Sequence, residues 1–176
     1  FNADHTYNGK LGLCTADQYV PLMAYEPGSG TTIMSYSGQC DDDSFQFFGE
    51  PTFHSGNFDQ IQGYVAGMGN CFVLSETTNT APVVQAGTEA TIPRETPFTL
   101  SGSATDADGD PLTYLWEEFD RSGTQAMIKE EDDGRMPLFR LFRPATNPER
   151  TFPALESIAT GLADKAEKLP QLSRTM

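Results

Sequence analysis

The sequence predicts an α+β protein in two parts: a loop-rich first part with one main helix, and a second part that begins a β-sandwich. Three observations carry this. Apolar residues recur at helical spacing at Phe58, Ile61, Tyr64 and Val65, which places them on one helix face. Further on the apolar period becomes two, with Phe98 and Leu100 alternating with Thr99 and Ser101. Between these patterns runs Ser75-Glu76-Thr77-Thr78-Asn79-Thr80-Ala81-Pro82, polar, without periodicity and ended by proline. The expected division is therefore 1–76 for the first part, 77–81 for a linker and 82–176 for the second part.

Residues before position 50 are rich in Gly, Asp, Ser and Thr and read as loops and short turns. For the helix, Asn57 is the expected N-cap, Gln60 closes a capping box, and Gly67 and Gly69 end it. In the second part Thr113, Leu115 and Glu117 alternate with Tyr114 and Trp116, a second strand joined to the first by the turn Asp106-Ala107-Asp108-Gly109-Asp110-Pro111. Pro82, Pro93 and Pro97 suit turns and edge strands. From 121 to 172 the pattern is that of an elaborated loop. Glu130-Glu131-Asp132-Asp133-Gly134 reads as solvated, and Pro153 to Ile158 as a short helix with Pro in its first turn. A sandwich needs further strands, so the second part is expected to be incomplete at its C-terminal end.

The formal net charge of −14 excludes a nucleic-acid partner, since little could neutralise phosphates. The apolar runs fall far short of a bilayer span. Three cysteines, Cys14, Cys40 and Cys71, leave two readings, buried free thiols or disulfides with one partner outside this stretch. Few lysines together with abundant Thr, Ser, Gly and Asn suit an extracellular bacterial protein.

Two stretches carry chemistry. The first is Asn2-Ala3-Asp4-His5, continued by Thr6-Tyr7-Asn8-Gly9. The second is Glu26-Pro27-Gly28-Ser29-Gly30-Thr31-Thr32-Ile33-Met34-Ser35-Tyr36. On residue type alone, His5 is a surface histidine near a terminus, Met34 core filler and Tyr36 a packed aromatic. Together the stretches resemble the C-terminal part of the catalytic domain in bacterial reprolysin-like metzincins, a clan of zinc metallopeptidases. Asn2 to His5 match the end of the His-Glu-x-x-His-x-x-Gly-x-x-His signature, with Asn2 where most members have Gly; Asn also tolerates the left-handed backbone of a sharp turn. The resemblance implies that His5 is the third zinc ligand and that Met34 is the Met-turn residue supporting the ligands without binding metal. It also implies that Tyr36 is a candidate donor to the transition-state oxyanion. The first two histidines and the general-base glutamate would precede Phe1, so this chain by itself is expected to be inactive. The same resemblance favours a Cys14–Cys40 bridge, contributing roughly 3 kcal/mol on the chain-entropy model, with Cys71 paired upstream; Cys40–Cys71 is the alternative. His54 then reads as structural.

In the second part, Ser103 to Trp116 resembles the PKD and cadherin-like modules, of Ig-like type, appended to bacterial secreted enzymes. Asp106, Asp108 and Asp110, at alternate positions around Gly109, are candidate Ca²⁺ ligands, although a plain turn also accounts for Asp and Gly there. Trp116 reads as core. The expected function is a secreted Zn²⁺-dependent metalloendopeptidase acting on protein or peptide substrates, with Ca²⁺ as a second candidate ion. The alternative is a non-catalytic extracellular adhesion or polymer-binding protein.

Overall fold

The computed structural model of the chain describes residues 2–67, 73, 75–161 and 164–174. Among them are two α-helices and two antiparallel two-stranded sheets, an α+β arrangement compatible with part of a β-sandwich.

Residues 2–54 are loops and turns with one 3-10 turn at Asp41–Asp43. Helix α1 spans Ser55–Gly67 and so begins two residues before the expected cap. Asn57 lies inside it, and its amide donates to the Asp4 carbonyl (2.9 Å) and to Gln60 Oε1 (3.3 Å). The first turn is capped instead from two sides. Gly56 N donates to His54 Nδ1 (3.1 Å), and Ser55 N and its hydroxyl both donate to the Glu117 carboxylate, the former at 2.9 Å. A carboxylate is the stronger cap because it meets the positive end of the helix dipole as well as its free N–H groups. It comes from 62 residues away, so no local pattern announces it. Gly67 is the last helical residue, and Gly69 lies outside the described residues. On the apolar stripe, Ile61 and Val65 are half-buried while Phe58 and Tyr64 remain open.

In the second part, β1 is Val83–Gln85, β2 Phe98–Ser101, β3 Ser103–Thr105 and β4 Glu149–Phe152. β2 pairs with β4 in the register Phe98↔Phe152 to Ser101↔Glu149, and β1 pairs with β3. Period two divides β2 into faces. Thr99 on the open face bonds the Thr151 hydroxyl (2.9 Å), while Phe98 stacks on Phe152 with centroids 5.1 Å apart. Phe139 meets both rings edge-on, and Ala126, Met136 and Leu138 complete this core. Gly102 passes the chain from one sheet to the other. A side chain there would press on Gln85 O and on the Trp116 ring, each at 3.3 Å. Trp116 packs against the core, as expected, and its indole N–H donates to Pro148 O (2.9 Å).

The expected strand at 113–117 is reduced to an isolated bridge, Tyr114↔Ala145. The ladder stops because Arg150 takes the Trp116 carbonyl (3.0 Å) and Glu117 turns away to cap α1. Helix α2 spans Leu155–Ala159 with Ala154 as N-cap, so Pro153 precedes the cap and is outside the first turn. The segment 130–134 is not wholly solvated. Asp132 is buried, accepting from Gly134 N (2.7 Å), Gln171 N (2.8 Å), Leu172 N (3.2 Å) and Arg174.

Residues 75–90 are exposed throughout, yet the chain beyond them returns to the first part. Ala126 N donates to Asn8 O (3.1 Å), Ile128 N to Asp43 Oδ1 (2.8 Å), and Arg121 to Leu22 O (2.5 Å) and the Tyr25 hydroxyl (2.9 Å). Among the described residues no helix is long and apolar enough to cross a membrane.

Candidate functional site

The loop that carries His5 is held by backbone pairing on one side and by a disulfide further along. Thr6 N donates to Met34 O (3.1 Å), Glu26 N to Thr6 O (2.9 Å), Asn8 N to Glu26 O (2.9 Å) and Gly9 N to Gly28 O (2.8 Å). The segments 5–9 and 26–34 therefore lie side by side, with a parallel bridge at Tyr7↔Glu26. This brings His5, Met34 and Tyr36 into one neighbourhood. The rings of His5 and Tyr36 are 4.8 Å apart, and both lie near the buried Tyr7 ring, at 5.8 and 5.0 Å. Cys14 and Cys40 are disulfide-bonded, Cα atoms 5.2 Å apart, and both are fully buried in a cluster with Tyr7, against which Tyr19 and Tyr36 pack. Cys71 lies outside the described residues.

His5 Nδ1 sits 3.2 Å from the carbonyl of Gln18. A carbonyl only accepts, so Nδ1 carries a proton, and in the neutral ring Nε2 is then the nitrogen with the lone pair. Among the described residues nothing bonds Nε2. This is the orientation a metal-binding imidazole takes, with a backbone carbonyl fixing the tautomer. The Asn2 backbone is left-handed, φ 53°, which glycine or asparagine accepts at least cost. Asp4 is tied to α1 by a pair of bonds with Gln60, one from Asp4 N (2.9 Å) and one to its carboxylate (2.6 Å).

Tyr36 is half-buried, and its hydroxyl makes one long contact, 3.5 Å, with Gln18 Oε1. Burial, with Tyr36 beside it, pushes the Tyr7 phenol up to about 12, so Tyr7 stays neutral and donates to Thr15 O (3.1 Å). Beneath the pair of segments lies Glu26, fully buried, accepting from Thr6, Thr31 and Thr32. In the sequence Glu26 stands out only as the start of the Met-turn frame, and Gln18 does not stand out at all. The two adjacent threonines before Ile33 are the available sign that the turn needs acceptors beneath it.

His54 stands apart. It is fully buried, stacked on Tyr25 at 4.8 Å, and its two nitrogens are committed to Gly56 N and Glu118 O. Both contacts are structural.

The three aspartates of the second part do not converge. Asp106 Oδ1 accepts from Asp108 N (2.8 Å) and Asp110 N (3.3 Å), and Asp108 Oδ2 accepts from Thr80 N (2.6 Å). Gly109 supplies the left-handed step, φ +77°. Among the described residues no three His, Cys, Asp or Glu side chains gather as a group that could hold a metal ion. Comparisons with protein-family models, with curated proteins and with solved structures return no match for this chain.

Proposed function

We propose that this chain belongs to a secreted zinc metalloendopeptidase of the reprolysin-like metzincin type, with residues 1–76 as the C-terminal part of the catalytic domain. Residues 82–176 are read as a PKD- or Ig-like module. The observation that carries this is the pairing of the His5 loop with the Met34 turn, which sets a histidine whose Nε2 has no partner among the described residues beside a half-buried tyrosine. The Cys14–Cys40 disulfide supports an oxidising, extracellular setting.

In this reading His5 holds zinc through Nε2, and the Gln18 carbonyl holds the ring by its other nitrogen. Zinc, when bound, supplies Lewis acidity and a water that ionises near neutral pH. A catalytic site needs three protein ligands, and in this reading His5 is one of them. The other two and the general base would have to come from a His-Glu-x-x-His segment outside residues 1–176. Met34 acts through its backbone, its carbonyl accepting from Thr6 N next to the ligand. The Tyr36 hydroxyl, weakly engaged at 3.5 Å, is free to donate to charge developing on a scissile peptide carbonyl.

The test is made in a protein that joins such a segment to this chain. His5→Ala should abolish both zinc retention and peptide-bond hydrolysis while the fold persists. Full zinc content and full activity in that variant would end the assignment.

A further inference from the structure

We propose that Glu26 is a positioning residue for the candidate zinc site, its buried carboxylate setting the separation between the His5 imidazole and the Tyr36 phenol. The geometry stands by itself, while its meaning for catalysis rests on the peptidase reading.

Glu26 has no solvent exposure. Five donors meet its two oxygens. Oε1 accepts from the hydroxyls of Thr6 and Thr32, each at 2.5 Å. Oε2 accepts from Thr31 N (2.5 Å), the Thr31 hydroxyl (2.9 Å) and Thr32 N (3.0 Å). Among the described residues no basic side chain bonds it. A carboxylate taken out of water is tolerated only where its oxygens are saturated by donors, and here the donors alone do this.

Those donors come from two different segments. Thr6 follows His5, and Thr31 and Thr32 enter the turn that carries Met34 and Tyr36. One oxygen, Oε1, binds a hydroxyl from each segment, so the carboxylate clamps one segment to the other. The backbone of Glu26 adds its own pair of bonds to Thr6 O and Asn8 N. The turn then closes over the side chain. A Cβ on Gly30 would lie 3.1 Å from Glu26 Cβ and Cδ and 2.6 Å from Ser35 Cβ, and Gly30 has φ +67°. Beyond it Tyr36 N donates to Ser29 O (2.9 Å) and the Ser37 hydroxyl to Gly30 O (2.9 Å), which carries Tyr36 to the His5 ring. An apolar residue could fill this space. It could not hold two threonine hydroxyls from different segments on one atom.

The experiment uses the 176-residue chain without added metal. Nuclear Overhauser contact between the His5 and Tyr36 rings, and the ring-current shift of the His5 protons, report the separation. The indole N–H of the single tryptophan, Trp116, reports the fold of the second part. The double change Thr6→Val with Thr32→Val keeps shape and strips Oε1 of both donors; it should abolish the ring contact while the Trp116 signal persists. Thr6→Ser with Thr32→Ser restores the hydroxyls and should restore the contact. Glu26→Gln should retain it, because one amide oxygen can serve the Thr31 and Thr32 N–H groups while the threonine hydroxyls turn to accept. If the double valine variant does not fold, Thr32→Val is read in its place and should weaken the contact. An unchanged His5–Tyr36 contact in the folded valine variant would overturn the proposal. That contact is measured without zinc, so its loss or survival is separate from the fate of the peptidase reading, which the His5→Ala experiment decides.

Discussion

At the scale of single residues, two buried carboxylates shift in opposite directions, because burial raises both but only one is overruled by its donors. Glu167 is fully buried, and loss of water pushes its carboxyl from 4.5 up to about 7, although Arg150 lies 2.8 Å away and Ala154 N donates at 2.6 Å. Asp132 is also buried, but three backbone N–H groups and Arg174 outweigh the burial and hold it below the ordinary aspartate value. The signs follow by linkage. A raised carboxyl binds its proton more tightly in the folded state, so the contribution of Glu167 to stability falls as pH rises from about 4.5 to about 7. That of Asp132 is present above 3.8 and is lost as pH falls through its lowered value. The expected outcome for Glu167→Gln is a stability difference from the parent that shifts in favour of the variant as pH rises through the Glu167 window. Urea unfolding at matched pH values checks this, and a difference independent of pH would refute it.

At the scale of elements, helix α1 and strand β2 were readable because their periods are local; burial follows the period in β2, whereas on α1 Phe58 and Tyr64 stay open. The turn after β3 was readable in kind. Asp106 accepts from two backbone N–H groups of its own turn, which is work a carboxylate does without a metal. Asp106→Ala is therefore expected to cost about 1 kcal/mol, the net scale of an ordinary intramolecular hydrogen bond. The cost should be the same in millimolar calcium and in EDTA. Thermal melts of parent and variant in both media test this. A loss seen only with calcium would assign the aspartates to the cation instead.

At the scale of the whole molecule, the exposed segment 75–90 separates two stretches that are nevertheless bonded to one another. Glu117 caps α1, and Glu118 O receives His54. The Gln125 amide reaches Gly9 O (2.8 Å) and Cys14 O (2.9 Å), gripping the loop that follows His5. Such contacts couple the stability of the two stretches. Helix signal by circular dichroism follows mostly α1, and fluorescence follows Trp116 in the other stretch. The two unfolding transitions should coincide. Glu117→Ala should lower both midpoints together, by about 1 kcal/mol for a lost helix cap. Separate transitions in the parent chain would show that the contacts do not couple the stretches.

What the sequence determined by itself was whatever depends on neighbours in the chain. The apolar period at Phe58, Ile61 and Val65 defined a helix, and the alternation at Phe98–Ser101 defined a strand. The Asp-Gly run defined a turn. Tertiary structure decided what depends on partners far along the chain. It replaced Asn57 by Glu117 as the cap, cut the strand at 113–117 to one bridge, and buried Asp132 in a segment of acidic, solvent-seeking composition. It also decided the surroundings of His5. That Gln18 fixes the imidazole and Glu26 clamps the adjoining segments could not be read in advance. A carboxylate or an amide looks the same in sequence whether it faces water or is buried among donors, and only the packing of remote segments supplies those donors.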